Sequence, residues 1–203
     1  VQVAALTTTQ VVAMQPADLA KLSTDAVAAL TTAQIPVLTT AQIAALSTEQ
    51  IVALNATNTA QTGALTSTQL AAMSTDQFAA IEAADFARLT ATAVRGVTTA
   101  QIVALTTAQA QVLTSGQLMA LSSTQLRALE TADLAKIGTL AISNLSGVNL
   151  AALKTDQVVA LTTAQVAALK ATQVTAMTTA QIKALTTGQA GALSSTQVAA
   201  LTT

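Results

Sequence analysis

Aliphatic residues recur every eight positions along the chain: Leu6, Met14, Leu22, Leu30, Leu38, Leu46 and Leu54. After a three-residue insertion, Asn55-Ala56-Thr57, the series resumes at Leu65 and runs unbroken to Leu201. The consensus octad is T-T-x-Q-(I/V/L)-x-A-L, as in residues 39–46 (TTAQIAAL) and 162–169 (TTAQVAAL). One long helix cannot satisfy this period. Eight residues at about 100° each leave about 80° of drift, so the aliphatic row would circle the helix every four or five octads. The chain must therefore break and restart at each repeat.

Within the octad the pattern is that of a short capped helix. Position one is Ser or Thr in 17 of 24 complete octads, and position four is Gln in 17. Ser/Thr followed three residues later by Gln is a capping box, in which each side chain satisfies a free amide of the first turn. The pairs Thr39–Gln42, Thr98–Gln101 and Thr162–Gln165 are its clearest instances. The preceding Leu lies at N′ and the position-five Ile or Val at N4, the two partners of a hydrophobic staple: Leu38 with Ile43, Leu161 with Val166. Pro16 falls at N1, where proline is favoured. Pro36 falls at N5, where it removes a backbone bond, and predicts a locally frayed octad. Position seven is Ala in 17 of 24 octads, which implies a tight contact; positions three and six vary freely and read as solvent-facing.

The expected fold is all-α: a solenoid of very short helices, one per octad, running as one continuous array over residues 1–203 with an insertion at 55–57. A β-solenoid with 16- or 24-residue coils is the alternative. It would use the Thr and Val well and waste the Ala and Gln. In either case two buried aliphatic side chains and one cap fall short of the entropy of ordering eight residues, so each octad depends on neighbours stacked above and below.

Three octads depart from the consensus alike: residues 15–22, 82–89 and 130–137. Each places Asp at position four and a base at position seven: Asp18 and Lys21, Asp85 and Arg88, Asp133 and Lys136. These are i,i+3 pairs, expected as weak surface ion pairs or as charged nodes between neighbouring solenoids. Each is followed by an octad with Ala at position four: Ala26, Ala93 and Ala141. Residues 138–153 lose both Gln residues and read as a softer joint. Asn55-Ala56-Thr57 and Asn144-Leu145-Ser146 have the form of glycosylation acceptors, a motif short enough to arise by chance.

Composition excludes most chemistry. The 203 residues contain no His, Cys, Trp or Tyr and two Phe. This removes the usual transition-metal and haem ligand sets and nucleophile pairs that need His or Cys, so no catalytic, cofactor or metal residues are expected and the chain does not read as an enzyme. It also removes the aromatic platforms that stack bases or sugars. Eight basic against nine acidic residues give a net charge of −1, with no basic surface for nucleic acid. No apolar run reaches the ~18 residues of a membrane span, and no site for a small-molecule substrate is evident.

The ends are in register with each other. Residues 1–6 supply positions three to eight of an octad, and Thr202 and Thr203 supply positions one and two. Val1, Val3, Leu6, Leu201, Thr202 and Thr203 are the expected self-assembly residues, with the chain itself as partner. A start at Val1 fits a processed product or a window from a longer protein.

The register L-T-T-x-Q-I-x-A-L, complete at residues 38–46 (LTTAQIAAL) and repeated with Val at 97–105 (VTTAQIVAL), resembles octapeptide arrays of very large bacterial surface and secreted proteins, often labelled adhesin-like or haem-utilisation proteins. The resemblance implies an extracellular or cell-surface, structural or adhesive role: a filament, sheath or stalk. A haem function does not carry over, because His, Cys and Tyr are all missing. A different expectation is a surface-binding module, such as an ice-binding one, that uses the repeated Thr rows.

Overall fold

The computed structural model describes residues 3–54 and 60–201. The described residues form 23 α-helices of four to six residues and two 3-10 turns, with no strand among them. The chain is an all-helical solenoid with one short helix per octad, and the β-solenoid alternative is set aside. The insertion proposed at 55–57 lies outside the described residues.

The corner between helices needs no special backbone. Position eight and the following N-cap are both extended, as at Leu46 (φ −67°, ψ 144°) and Ser47 (φ −76°, ψ 165°). No described residue has a positive φ. Two extended residues therefore turn the chain, and the N-cap side chain starts the next helix at once.

Packing has a period of three helices. In the first of two compact units, residues 1–104, helix Pro16–Leu19 packs on Thr40–Ala45, and Thr24–Ala28 on Thr48–Ala53. In the second unit, residues 105–203, Gly147–Ala152 packs on Ala171–Ala176, and Thr155–Ala160 on Thr179–Ala184. Partners stand 24 residues apart, so within each unit three octads complete one superhelical turn and helices stack in three columns.

Positions five and eight fill the interior. Ile43, Leu118, Leu126 and Val158 are 0% exposed, and the position-eight residues Leu46, Leu121 and Leu161 are nearly as deep. Phe78 and Phe86, the only aromatics, meet edge to face at 5.6 Å between ring centroids. Such a pair is worth about 0.5–1.5 kcal/mol beyond area burial. Position three is exposed in every described octad. Position six is exposed or half-buried except at Ser143, which is buried and donates to Leu140 O at 3.0 Å; there the expectation of a solvent-facing residue is corrected.

Position seven is half-buried in most octads and meets position two of the turn below. A Cβ added to Gly96 would lie 2.1 Å from Ser67 O, and one added to Gly147 would lie 2.7 Å from Ala176 Cβ. At these two contacts a larger residue requires the adjacent turns to shift.

Pro36 converts its octad from α to 3-10. The helix there is Ile35–Val37, with Leu38 N donating to Ile35 O at 3.1 Å. The missing N–H disrupts the fourth-residue ladder, and the tighter turn replaces it.

Candidate functional site

The feature with the most chemistry in this chain is the position-four glutamine, buried in the consensus octads from Gln34 onward. Gln42 shows its geometry. Thr39 N donates to Gln42 Oε1 at 2.8 Å, and Gln42 N donates to Thr39 Oγ1 at 3.2 Å, which closes the capping box. The other half of the amide then reaches across the solenoid: Nε2 donates to Val11 O and Met14 O, both at 2.8 Å. Those carbonyls belong to the last turn of a helix four octads earlier, the end at which a helix has no internal partners. One side chain thus satisfies the start of its own helix and the finish of another.

The same arrangement recurs through both units. Gln101 Nε2 donates to Leu70 O and Met73 O at 2.7 and 2.8 Å, and Thr98 forms the box. Gln165 Nε2 donates to Leu134 O and Ile137 O at 3.0 and 2.6 Å, and Thr162 forms the box. Leu38, Ile43, Leu161 and Val166, the staple residues, all lie in the buried core.

Sequence reasoning identified the local half of this network and missed the long-range half. A signal was present: no octad carries Glu at position four. Glu would serve a capping box as well as Gln, but only an amide also supplies two donors.

The register of the ladder follows helices and not residues. Gln42 and Gln50 reach the position-eight carbonyls of Met14 and Leu22, 28 residues back. Gln69 and Gln77 reach Leu38 and Leu46, 31 residues back. Gln61 likewise donates to Leu30 O. At Gln101 the interval returns to 28.

Position-one lysines make half a box. Lys170 N donates to Gln173 Oε1 at 2.7 Å, and Gln173 N turns to the backbone carbonyl Lys170 O. At Lys154 the N–H of Gln157 is taken by Asp156 Oδ1 at 2.9 Å.

The charged octads require a correction. Only Asp18 and Lys21 form the expected exposed pair, at 3.6 Å. Asp85 and Asp133 occupy the inward position of the missing Gln and are 3% and 4% exposed, and neither closes to ion-pair distance with Arg88 or Lys136. From Gln34 onward position four is buried as Gln, Asp or Ala and half-buried at Asn149, whereas Gln10 and Asp18 in the first turn are exposed. Asp133 Oδ1 accepts from Thr107 Oγ1 at 2.9 Å, one turn below. Asp85 Oδ1 is buried without a hydrogen-bond partner; desolvation, reinforced by nearby Glu82 and opposed by Arg88, pushes its pKa above the ordinary value.

In residues 138–153, Ala141 and Asn149 stand at position four, and Ser146 still caps its helix by accepting from Asn149 N at 3.1 Å. Asn144 Nδ2 donates to Ser115 Oγ and its Oδ1 accepts from Lys170 Nζ, so its amide is engaged on both sides. Of the expected self-assembly residues, Val3 is buried and Leu6 and Leu201 are half-buried, whereas Val1, Thr202 and Thr203 lie outside the described residues. Among the described residues no helix is long and apolar enough to cross a membrane, and no group of three or more acidic side chains is placed to hold a metal ion.

The one-helix octad, the three-helix turn and the glutamine ladder define a helical solenoid of tandem octapeptide repeats. The chain belongs to the ALTTAQ repeat family, whose model matches residues 11–48, 78–115, 126–163, 148–179 and 166–203. Comparison with curated proteins and with solved structures returns no match.

Proposed function

We propose that this chain is a structural element of an extracellular or cell-surface filament, sheath or adhesin stalk, extended by stacking turn upon turn. The observation that carries the reading is the ladder. Within the array each turn ends in carbonyls that the glutamines of a later turn take, and the first turn offers Gln10 at position four, with Asp18 and Ala26 in the next two octads. A turn of consensus octads supplies these bonds whether it follows in the same chain or comes from a second copy, and a second copy's first turn supplies the Gln10 part of them. The reading assigns the chain no catalysis, cofactor, substrate or nucleic acid. The resemblance to arrays of bacterial surface proteins supports the location.

Electron microscopy of the purified chain at micromolar concentration tests the assembly. Long uniform filaments are the expected result; discrete short rods overturn end-to-end stacking. Surface labelling of intact cells tests the location, and protection of the chain from the label overturns it.

A second reading, binding of a regular surface such as ice, has one supporting observation. In the second unit Thr107, Thr131, Thr155 and Thr179 occupy position two of successively stacked octads. Against it, Thr107 spends its hydroxyl proton on Asp133. Absence of thermal hysteresis at millimolar protein removes this reading.

A further inference from the structure

Three helices per turn sort the charged residues into columns that the linear sequence does not display. In the first unit, Thr24–Ala28, Thr48–Ala53 and Thr75–Ala79 stack directly, followed by Thr99–Val103. This column carries Asp25, Glu49 and Asp76, all exposed at position three, and no base. Its formal charge is −3, while the other two columns of that unit carry −1 (Glu82, Asp85, Arg88) and +1 (Asp18, Lys21, Arg95). The whole net charge of the unit therefore stands on one face.

The second unit repeats the segregation with the opposite sign. Ser123–Ala128, Gly147–Ala152, Ala171–Ala176 and Ser195–Ala200 form one column. It carries Arg127 and Lys170, both exposed, and no acid, for a charge of +2. Of the remaining two columns, one is uncharged and the other balances three acids against three bases. The charged columns expose Val52 and Val103 in the first unit and Val148 in the second, and the uncharged column of the second unit exposes Met119 and Leu140. Val148, at 78%, is the most exposed large apolar side chain among the described residues. The segregated charge, and not the exposed apolar side chains, sets these two columns apart from the others.

We infer that these faces pair laterally between copies, the acidic column of one chain's first unit against the basic column of a second copy's second unit. A second copy supplies the complementary surface, with opposite charge repeated at the same helix-to-helix spacing of about 10 Å. The Glu49 carboxylate, held by its own backbone amide and by Ser47, has its pKa below the ordinary range and stays charged in the pairing. Lateral pairing goes beyond end-to-end growth and does not depend on it: rods and filaments alike can bundle.

The test is light scattering with sedimentation velocity at about 20 mM and about 0.5 M salt, a range over which the Debye length falls from roughly 20 Å to a few ångströms. The wild-type chain should associate at low salt and lose that component, by about tenfold or more, at high salt. The variants D25K/E49K/D76K and R127E/K170E should each lose the salt-reversible component, with helical circular dichroism unchanged. Mixing them should restore it, because one now carries two basic faces and the other two acidic ones. The neutral variant D25N/E49Q/D76N should lose association without any new repulsion. Association that persists in either reversed variant, failure of the mixture to recover, or a wild type with no salt-reversible component overturns the inference. Growth that survives high salt belongs to end-to-end stacking, which this pairing leaves open.

Discussion

Gln165 Nε2 stands 2.6 Å from Ile137 O, 28 residues earlier in the chain, while Gln165 Oε1 accepts from Thr162 N at 2.8 Å. The amide is fully used on both of its atoms. Gln165→Ala should leave an amide and two carbonyls short of partners and lower stability by about 2–4 kcal/mol, read as a denaturant midpoint. Gln165→Glu keeps the capping acceptor but loses both donors and buries a charge beside carbonyl oxygens, so its loss should be larger at neutral pH. It should recover in part on acidification, when the carboxyl can donate. A Glu variant as stable as wild type at pH 7 would remove the ladder from the account of stability.

Two glycines should respond to alanine with opposite signs. At Gly96 an added Cβ meets Ser67 O at 2.1 Å, and at Gly191 it meets nothing within 4 Å. Gly96→Ala should cost about 1–3 kcal/mol through forced separation of adjacent turns. Gly191→Ala, in helix Thr187–Gly191, should stabilise by about 0.5–1 kcal/mol by stiffening the unfolded chain. Thermal melts of the two variants side by side decide it; the same sign in both contradicts the packing described.

The buried Asp85 makes stability depend on pH in a predictable direction. Its pKa is raised on folding above the ordinary 3.8, chiefly by desolvation. The native state then holds the proton more tightly than the unfolded state, so the associated stability is present below pH 3.8 and is lost as pH rises through the native value. Asp85→Asn should flatten that part of the profile and raise the melting temperature at pH 7. A melting temperature that falls at pH 7 would show that the charged form is being stabilised.

Lys170 offers a site where stability can be gained. Its octad has only the backbone half of the capping box, because an ammonium cannot accept from Gln173 N. Lys170→Thr should complete the box and add about 0.5–1 kcal/mol. Chemical denaturation compares the two directly, and no gain would mean that the backbone carbonyl already suffices.

What the sequence disclosed was local. Thr39 and Gln42 are three residues apart, so their mutual caps follow from spacing alone, and the octad period excludes a continuous helix. The three-helix turn was not legible in this way, because it rests on Gln42 reaching Met14 across intervening helices. The misreading of Asp85 and Asp133 has the same origin. Their spacing to Arg88 and Lys136 is that of a surface ion pair, and only the orientation of position four shows that the carboxylates face inward. Pro36 was recognised as disruptive, but the 3-10 turn that absorbs it was not, and beside it Gln34 Nε2 still reaches Val3 O and Leu6 O at 3.0 and 2.7 Å.

The interval from a glutamine to its position-eight acceptor lengthens from 28 to 31 residues at Gln61, Gln69 and Gln77 and then returns to 28 at Gln101. The additional length is carried for one revolution and then forgotten. The fault stays local: Gln61 Oε1 is buried without a partner, while the rungs at Gln69, Gln77 and Gln101 keep both carbonyl acceptors. A change of chain length at one corner is thus a local fault in this array and not a shift of every later rung.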